Sequence, residues 1–345
     1  MSNIPRTCPV CGAPQTDPNT LNCAACKCVG AFYTQFSGEN AYNLWLATIN
    51  RKKEEQAARL YTDSRNAGCT LQVSGNAICF HNPKTEEARV YTFGSGDTPT
   101  VLKNVRQVSL CNLYQLILHH DGTVSSFGDD YYNHRRGLSR ITNGAFVAAT
   151  DACAYVVKED GTVAELGLND FSGEPSGWTD IQKLSANSLH IVGLKKDGTV
   201  VYAMSPNSPL LQLARQMSSW INVQDVLVSE HYILALHKNG TVSCIGPNTE
   251  HCAPTTTWRN IVAIAADKQY AIGLTADGNV LLAGIESVVD YGRKNAKQWK
   301  NMAFIAAGSS TIVGLTNSGE LLMTGTRKAD GSEITFTNSI REILK

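Results

Sequence analysis

A tight-turn dipeptide returns about every forty residues along most of this chain: Asp121-Gly122, Asp160-Gly161, Asp197-Gly198, Asn239-Gly240, Asp277-Gly278 and, in weaker form, Ser318-Gly319. The glycines are 39, 37, 42, 38 and 41 residues apart. Asp-Gly and Asn-Gly mark two-residue hairpins of type I′, in which both central residues need positive φ. β-rich runs flank the turns, such as Ile191-Val192-Gly193-Leu194 before and Thr199-Val200-Val201 after. Each period therefore holds a hairpin, and a helical solenoid of similar period is excluded.

A second marker keeps step about twenty residues ahead of each turn. It reads Trp178-Thr179-Asp180-Ile181, Trp220-Ile221-Asn222-Val223, Trp258-Arg259-Asn260-Ile261 and Trp299-Lys300-Asn301-Met302, with Leu102-Lys103-Asn104-Val105 as the same element without its tryptophan. Apolar runs ending in small residues follow, as in Ile264-Ala265-Ala266, which suits strands crowded near an axis. Four short strands per period, repeated, predict an all-β fold: a seven-bladed β-propeller over residues 67–345. Six turns are visible. The seventh blade is expected to join the hairpin pattern at Leu71 to Asn76 with the lead-in pattern at Thr337 to Ile343, so that the C-terminal strands close the ring and remove its sheet edges.

The first 37 residues belong to a different architecture. Cys8-Pro9-Val10-Cys11 and Cys23-Ala24-Ala25-Cys26 are two Cys-x-x-Cys knuckles, and four thiolates make a closed tetrahedral site for structural zinc. Gly12 suits the turn after the first knuckle. The spacing predicts a zinc ribbon with Cys8, Cys11, Cys23 and Cys26 as ligands, leaving open whether Cys28 replaces Cys26. Residues 38–66 then read as a helical connector, with a helix from about Glu39 to Ser64 whose Tyr42, Trp45 and Ile49 stripe packs on a neighbouring domain.

Of the 345 residues 43% are hydrophobic and 17% charged, enough to bury a sizeable core. Thirty Lys and Arg balance thirty Asp and Glu, which argues against a partner that is a nucleic acid. No apolar run reaches membrane-spanning length and Met1 to Val10 lacks the core of a secretory signal, so the expectation is a soluble, cytoplasmic protein with no membrane partner, and a monomeric propeller.

No nucleophile elbow, phosphate loop or H-E-x-x-H motif is present. Phe93 to Asp97 lacks the lysine and helix of a phosphate loop. His119 and His120 are adjacent, so their rings face opposite ways. Cys69, Cys79, Cys111, Cys153, Cys244 and Cys252 read as small buried hydrophobes, with a disulfide or second metal site as the alternative for Cys244 and Cys252, the two that are close in sequence. What remains is a set of variable polar segments after the hairpins: Asp129 to Arg136, Asn169 to Gly177, Ser205 to Met217, Pro247 to Thr257 and Glu286 to Gln298. Loops on a rigid scaffold are where recognition resides. The first is richest in hot-spot residue types, and Tyr131, Tyr132, His134, Arg135 and Arg136 are the candidate partner-binding residues.

The unit W-x-N-I, a small-residue run, then G-L-x-x-D-G-x-V, seen best in Trp178 to Val200, Trp258 to Val280 and Trp299 to Leu321, resembles the repeat of the regulator of chromosome condensation family. The blade after Arg140 departs most, with Ile141-Thr142-Asn143-Gly144 and no tryptophan. The resemblance implies a seven-bladed propeller that binds proteins through loops on the ring faces. The family includes a guanine-nucleotide exchange factor that sits on chromatin and a bacterial inhibitor of β-lactamases; the matched residues are scaffold residues, so neither activity transfers. Joined to a zinc ribbon, the combination reads as bacterial. The expected function is a non-enzymatic protein-interaction module, with a regulator of a bound protein, or a nucleic-acid-associated factor using the ribbon, as alternatives.

Overall fold

The computed structural model describes residues 8–9, 13, 15, 20–25, 28, 31, 41–52, 69–74, 77–92, 99–168, 171, 173–247, 249–284, 292–308, 311–317 and 319–325. The chain divides into two compact units, the first built on residues 1–66 and the second running from Ala67 to Thr316 and resuming at Leu321.

In the first unit, residues 41–52 form helix α1; the rest of the helix expected over 39–64 lies outside the described residues. Ile49 is buried in one cluster with Cys8, Cys23, Cys28 and Ala31, and Trp45 packs against that cluster. The helix thus supplies the apolar cover for the cysteine segment.

The second unit is all-β. Its first sheet has four strands, β1 Thr70–Ser74, β2 Ala77–Asn82, β3 Glu87–Thr92 and β4 Thr100–Lys103. Three-stranded sheets follow: β5 Val105–Leu110, β6 Tyr114–His119 and β7 Val124–Gly128; β8 Gly144–Ala149, β9 Cys153–Lys158 and β10 Val163–Gly167; β11 Ile181–Ala186, β12 His190–Lys195 and β13 Val200–Met204. The last three are β14 Val223–Val228, β15 Ile233–His237 and β16 Val242–Ile245; β17 Ile261–Ala266, β18 Tyr270–Thr275 and β19 Val280–Gly284; β20 Met302–Gly308, β21 Thr311–Thr316 and β22 Leu321–Thr324. Every pairing is antiparallel, and each sheet runs in simple chain order.

The first strand of each sheet packs on its counterparts in the sheets before and after. β1 lies against β5, β5 against β8, β8 against β11, and so on through β17 and β20, and β20 packs back on β1. Phe80 meets Phe304 edge-on across that last junction, with ring centroids 6.1 Å apart. Seven antiparallel sheets arranged in this way are the blades of a β-propeller, with the first strand of each innermost.

Three expectations need correction. First, six of the seven blades hold three strands among the described residues, not four. The stretch after the third strand instead carries helix α2 (His134–Leu138), helix α3 (Thr249–Thr255) and short 3-10 turns such as Ala214–Ser219 and Arg293–Gln298, because those segments lack the alternating β-branched pattern of a strand. Second, the recurring turns are not type I′. Gly122 is left-handed at φ 79° but Asp121 is not, Gly122 N–H donates to the His119 carbonyl, and His119 N–H donates to the Thr123 carbonyl. This is the longer hairpin with a glycine bulge, and the aspartate earns its place by accepting the Thr123 N–H and hydroxyl. Third, the stretch Leu71 to Asn76 does not match the Asp-Gly turn: it joins the first strand to the second, Ser74 opposite Ala77. In the first blade the Asp-Gly position is held by residues 83–86, where Glu86 takes the left-handed conformation at φ 55°. The C-terminal lead-in, residues 337–343, lies outside the described residues, as does the Phe93 to Asp97 segment.

The tryptophan of the lead-in has a structural partner fifteen residues later. A Cβ built on Gly193 would fall 2.9 Å from the Trp178 ring, and those on Gly273 and Gly314 would fall 2.8 Å from Trp258 and Trp299. The indole therefore fills the space that the glycine vacates. Where the lead-in residue is smaller, the strand residue is larger: Leu102 shares a packed cluster with Ile117, and Ile141 with Val156, while Trp220 shares one with Ala235. What repeats is a combined volume, and interiors are packed too densely to lose it.

Replacing Gly273 by Ile alone is expected to cost about 1–3 kcal/mol by overpacking, and Trp258→Leu alone about 2–4 kcal/mol by the void it leaves. Combined, the two should recover much of the loss. A double-mutant cycle from denaturant unfolding checks this, and strictly additive losses would contradict the pairing.

Candidate functional site

Strand direction sorts the loops. In a three-stranded meander the turn from first to second strand lies at the same end as the exit of the third, and the Asp-Gly turns lie at the opposite end. The described parts of the variable segments therefore share one face with the short turns at 111–113, 150–152, 187–189, 229–232 and 267–269. Each of these turns is closed by the same backbone bond, as from Asn187 N–H to the His190 carbonyl at 2.9 Å and from Asp267 N–H to the Tyr270 carbonyl at 3.1 Å.

In three of these blades the residue that ends the turn reaches under the variable segment of its own blade. Tyr114 stacks on His134 with centroids 4.1 Å apart. His190 lies with Nε2 2.6 Å from the Ser208 hydroxyl and Nδ1 3.1 Å from the Ser229 carbonyl oxygen. A carbonyl can only accept, so Nδ1 carries the proton and Nε2 accepts from Ser208. The guanidinium of Arg293 sits 5.3 Å from the Tyr270 ring centroid, donates to the Asp267 carboxylate at 2.8 Å, and contacts the Gln269 side chain. That carboxylate also accepts the backbone N–H groups of Gln269 and Tyr270, so the buried pair is fully bonded. Ser229 and Tyr232 both donate to the Asp267 carbonyl at 2.8 Å, tying one blade to the next. The loops are thus held from beneath.

The candidate partner residues separate into two groups. Tyr131 is 73% exposed and Tyr132 40%, and Arg136 is exposed as well. His134 is only 2% exposed: it sits inside α2 against Tyr114, with Nδ1 3.0 Å from the Asp130 carboxylate, and burial lowers its pKa while Asp130 opposes the shift. It positions the loop and presents nothing to a partner. Arg135 donates to the Gly128 carbonyl and, at 3.2 Å, to the Ser126 hydroxyl, fastening the loop back to β7. Leu168, 66% exposed at the end of the next blade, extends the apolar surface of the two tyrosines, and no sequence pattern marked it.

Two pockets open on this face. One of about 380 Å³ is walled by Tyr132, Leu168, Phe171 and Tyr155. The other, about 230 Å³, lies where the first strands end, among Leu110, Asn112, Asp151 and Glu230. Thr150, Asn187 and Ser188 line both. Neither pocket was legible in the sequence, since each assembles from equivalent turns of several blades.

Four further cysteines and the His119–His120 pair sit in the frame of the blades. Cys69, Cys79 and Cys153 are buried and Cys111 half-buried; burial pushes the thiol of Cys79 up to about 12 and those of Cys111 and Cys153 to about 11. Cys244 and Cys252, expected as separate buried hydrophobes, are joined in a disulfide with Cα atoms 5.0 Å apart, linking β16 to α3. His119 and His120 bond separately to Asn104, Ser125 and Val105.

In the first unit, Cys8 and Cys23 are buried in one cluster, while Cys11 and Cys26 lie outside the described residues; among the described residues no three metal-ligating side chains converge. The two knuckles nevertheless share a backbone closure. Cys8 N–H donates to the Ala13 carbonyl at 2.8 Å and Cys23 N–H to the Cys28 carbonyl at 3.0 Å. This register makes Cys28 the counterpart of Ala13, and Cys8, Cys23 and Cys28 are buried in one cluster.

No protein-family model matches the chain, and no curated protein does. Solved structures share its fold. The CRINKLY WD40 ectodomain of the Arabidopsis thaliana receptor kinase ACR4 matches with TM-score 0.54 and 16% identity, covering 74% of this chain and 95% of that one. The entire ectodomain of the Physcomitrella patens receptor kinase CR4 gives 0.55 and 14%, covering 79% and 75%. Human WBSCR16 gives 0.52 and 14%, covering 72% and 87%. At this identity the likeness is one of fold.

The buried histidines set an acid limit. Burial lowers the pKa of His190 from 6.5 to about 4, and those of His81 and His134 in the same direction. Between those values the unfolded chain binds more protons than the folded one, so stability is complete above about pH 6.5 and falls as pH drops toward 4. Thermal melts at pH 7 and pH 5 should show a lower Tm at pH 5, with a smaller drop in His190→Gln; an unchanged wild-type Tm would refute the assignment.

Proposed function

We propose that this chain is a non-enzymatic protein-interaction module: a propeller of repeats resembling the regulator of chromosome condensation type, presenting one face of anchored loops to a protein partner, with an N-terminal zinc ribbon as a structural appendage. The observation that carries this reading is the contrast between what lies beneath the loops and what lies on them. Underneath are bonded rings and a buried ion pair; on top are Tyr131, Tyr132 and Leu168, large apolar groups exposed side by side with the pocket walled by Tyr132 and Leu168. Such anchors, held rigid before contact, lose little entropy on binding. Immobilised protein should retain a partner in stoichiometric amount, and Tyr131→Ala with Tyr132→Ala should weaken retention at least about ten-fold. Retention unaffected by that pair would move the interaction to another surface.

In the same proposal Cys8, Cys11, Cys23 and Cys26 hold zinc. Bound zinc would crosslink the two knuckles, a segment too short to be stabilised by its own core. Metal analysis of purified protein should find about one zinc ion per chain. Cys8→Ser and Cys26→Ser should lose it and Cys28→Ser should retain it; zinc kept by Cys26→Ser and lost by Cys28→Ser would reverse the ligand assignment.

A further inference from the structure

The two pockets on the loop face differ in chemistry and share a wall, and that juxtaposition specifies an occupant. The central pocket is lined by two carboxylates, Asp151 and Glu230, and by no lysine or arginine. Asp151 accepts one bond on each oxygen, from the Asn112 N–H at 3.0 Å and the Asn112 side-chain amide at 2.9 Å, so each oxygen keeps accepting capacity. Glu230 meets Lys268 at 2.7 Å, but both side chains are substantially exposed, and a pair of that kind is weakly held and exchanges readily. The neighbouring pocket holds Tyr132, Leu168 and Phe171 and no charged side chain.

Between them stands Asn187. Its side-chain oxygen accepts the N–H groups of Leu189 at 2.9 Å and His190 at 2.8 Å, which fixes the orientation of the amide. The side-chain nitrogen is buried and has no hydrogen-bond partner among the described residues. A buried donor without an acceptor is costly, and native structures retain few of them. That nitrogen is screened from solvent, so the accessible polar group on the shared wall is the exposed Ser188, which lines both pockets.

Resting on the reading of the loop face as a protein-binding surface, we propose that it takes an extended peptide segment of the partner, which places a lysine or arginine side chain in the central pocket and a neighbouring apolar side chain in the aromatic pocket. The two requirements occur together in a polypeptide. A nucleic acid would bring phosphates toward two carboxylates, and a small free cation would leave the aromatic pocket unused.

The test uses the full chain and two fluorescein-labelled nonapeptide pools of Gly and Ser. One pool carries a basic and an apolar residue within three central positions, the other an acidic residue in place of the basic one. Fluorescence anisotropy should show the basic pool binding at least about ten-fold more tightly than the acidic pool, with affinity falling as salt rises. Asp151→Asn with Glu230→Gln should remove that preference. Tyr132→Ala, which leaves the carboxylates in place, should weaken binding while preserving the preference for basic peptide. Equal binding of the two pools, indifference to both variants, or displacement by an oligonucleotide would overturn the inference. If a captured partner depends on Tyr131 and Tyr132 yet binds Asp151→Asn with Glu230→Gln as tightly as wild type, the interaction module stands and the peptide assignment falls.

Discussion

One backbone hydrogen bond, repeated at six successive junctions, joins a blade to the one that follows it. The carbonyl of the left-handed turn residue in one blade accepts the first N–H of the following blade's inner strand: Gly122 from Gly144, Gly161 from Ile181, Gly198 from Val223, Gly240 from Ile261 and Gly278 from Met302, all between 2.8 and 3.0 Å. In the first blade Glu86 performs the same service for Val105 at 2.9 Å. A carbonyl can be presented in that direction only when the turn residue adopts positive φ, which is why glycine recurs there. The approaching chain must bend as well. Asn104, Asp180, Asn222, Asn260 and Asn301 are all left-handed, with φ between 55° and 61°, and Asn and Asp tolerate that region better than other residues bearing a side chain. The asparagine of the lead-in is therefore the other half of the joint made by the turn glycine.

The joint also explains how inner strands manage their edges. A blade's first strand pairs on one side only, leaving a row of backbone groups facing the axis. Side chains from the preceding blade answer part of that row. Gln72 donates to the Val108 carbonyl and accepts the Leu110 N–H; Gln107 does the same at Val147, accepting and donating at 2.9 Å. Ser109 accepts from Ala149 and Ser185 from Val228, both at 3.0 Å. These amides and hydroxyls act as a stand-in strand without closing the space at the axis, so the central pocket can form at its end.

The repeat itself was legible in the sequence because turn chemistry is local: glycine and asparagine mark left-handed positions wherever they fall. The physical meaning of the tryptophan was not. Its absence at Leu102 and Ile141 reads as decay of the repeat, yet both positions are compensated by Ile117 and Val156, and only three-dimensional packing shows that lead-in and strand residues exchange volume. The strand count failed for a related reason, since a segment such as His134–Leu138 folds as a turn of helix under the control of Tyr114, twenty residues away. The same contact turned His134 from a candidate recognition residue into a support, whereas the exposure of Tyr131 and Tyr132 follows from polar neighbours that sequence does display. Asp151, Asn187 and Glu230 carried no signal at all, being single residues in separate repeats brought together by the ring.

Anchoring of this kind lets a scaffold keep its geometry while its surface changes. The residue closing each upper turn is Tyr114, His190, Tyr232 or Tyr270 in different blades, and its partner is a stacked imidazole, a serine hydroxyl, a neighbouring carbonyl or a guanidinium. His190, Tyr232 and Arg293 bury their polar groups with bonds made, while the Tyr114–His134 pair is held by ring stacking. The backbone joints between blades lie at the opposite end, where glycine, asparagine and aspartate supply the left-handed conformations. Substitutions in a loop are thereby separated from the contacts that hold the ring, which is the condition for a recognition face to vary from one repeat protein to another without loss of fold.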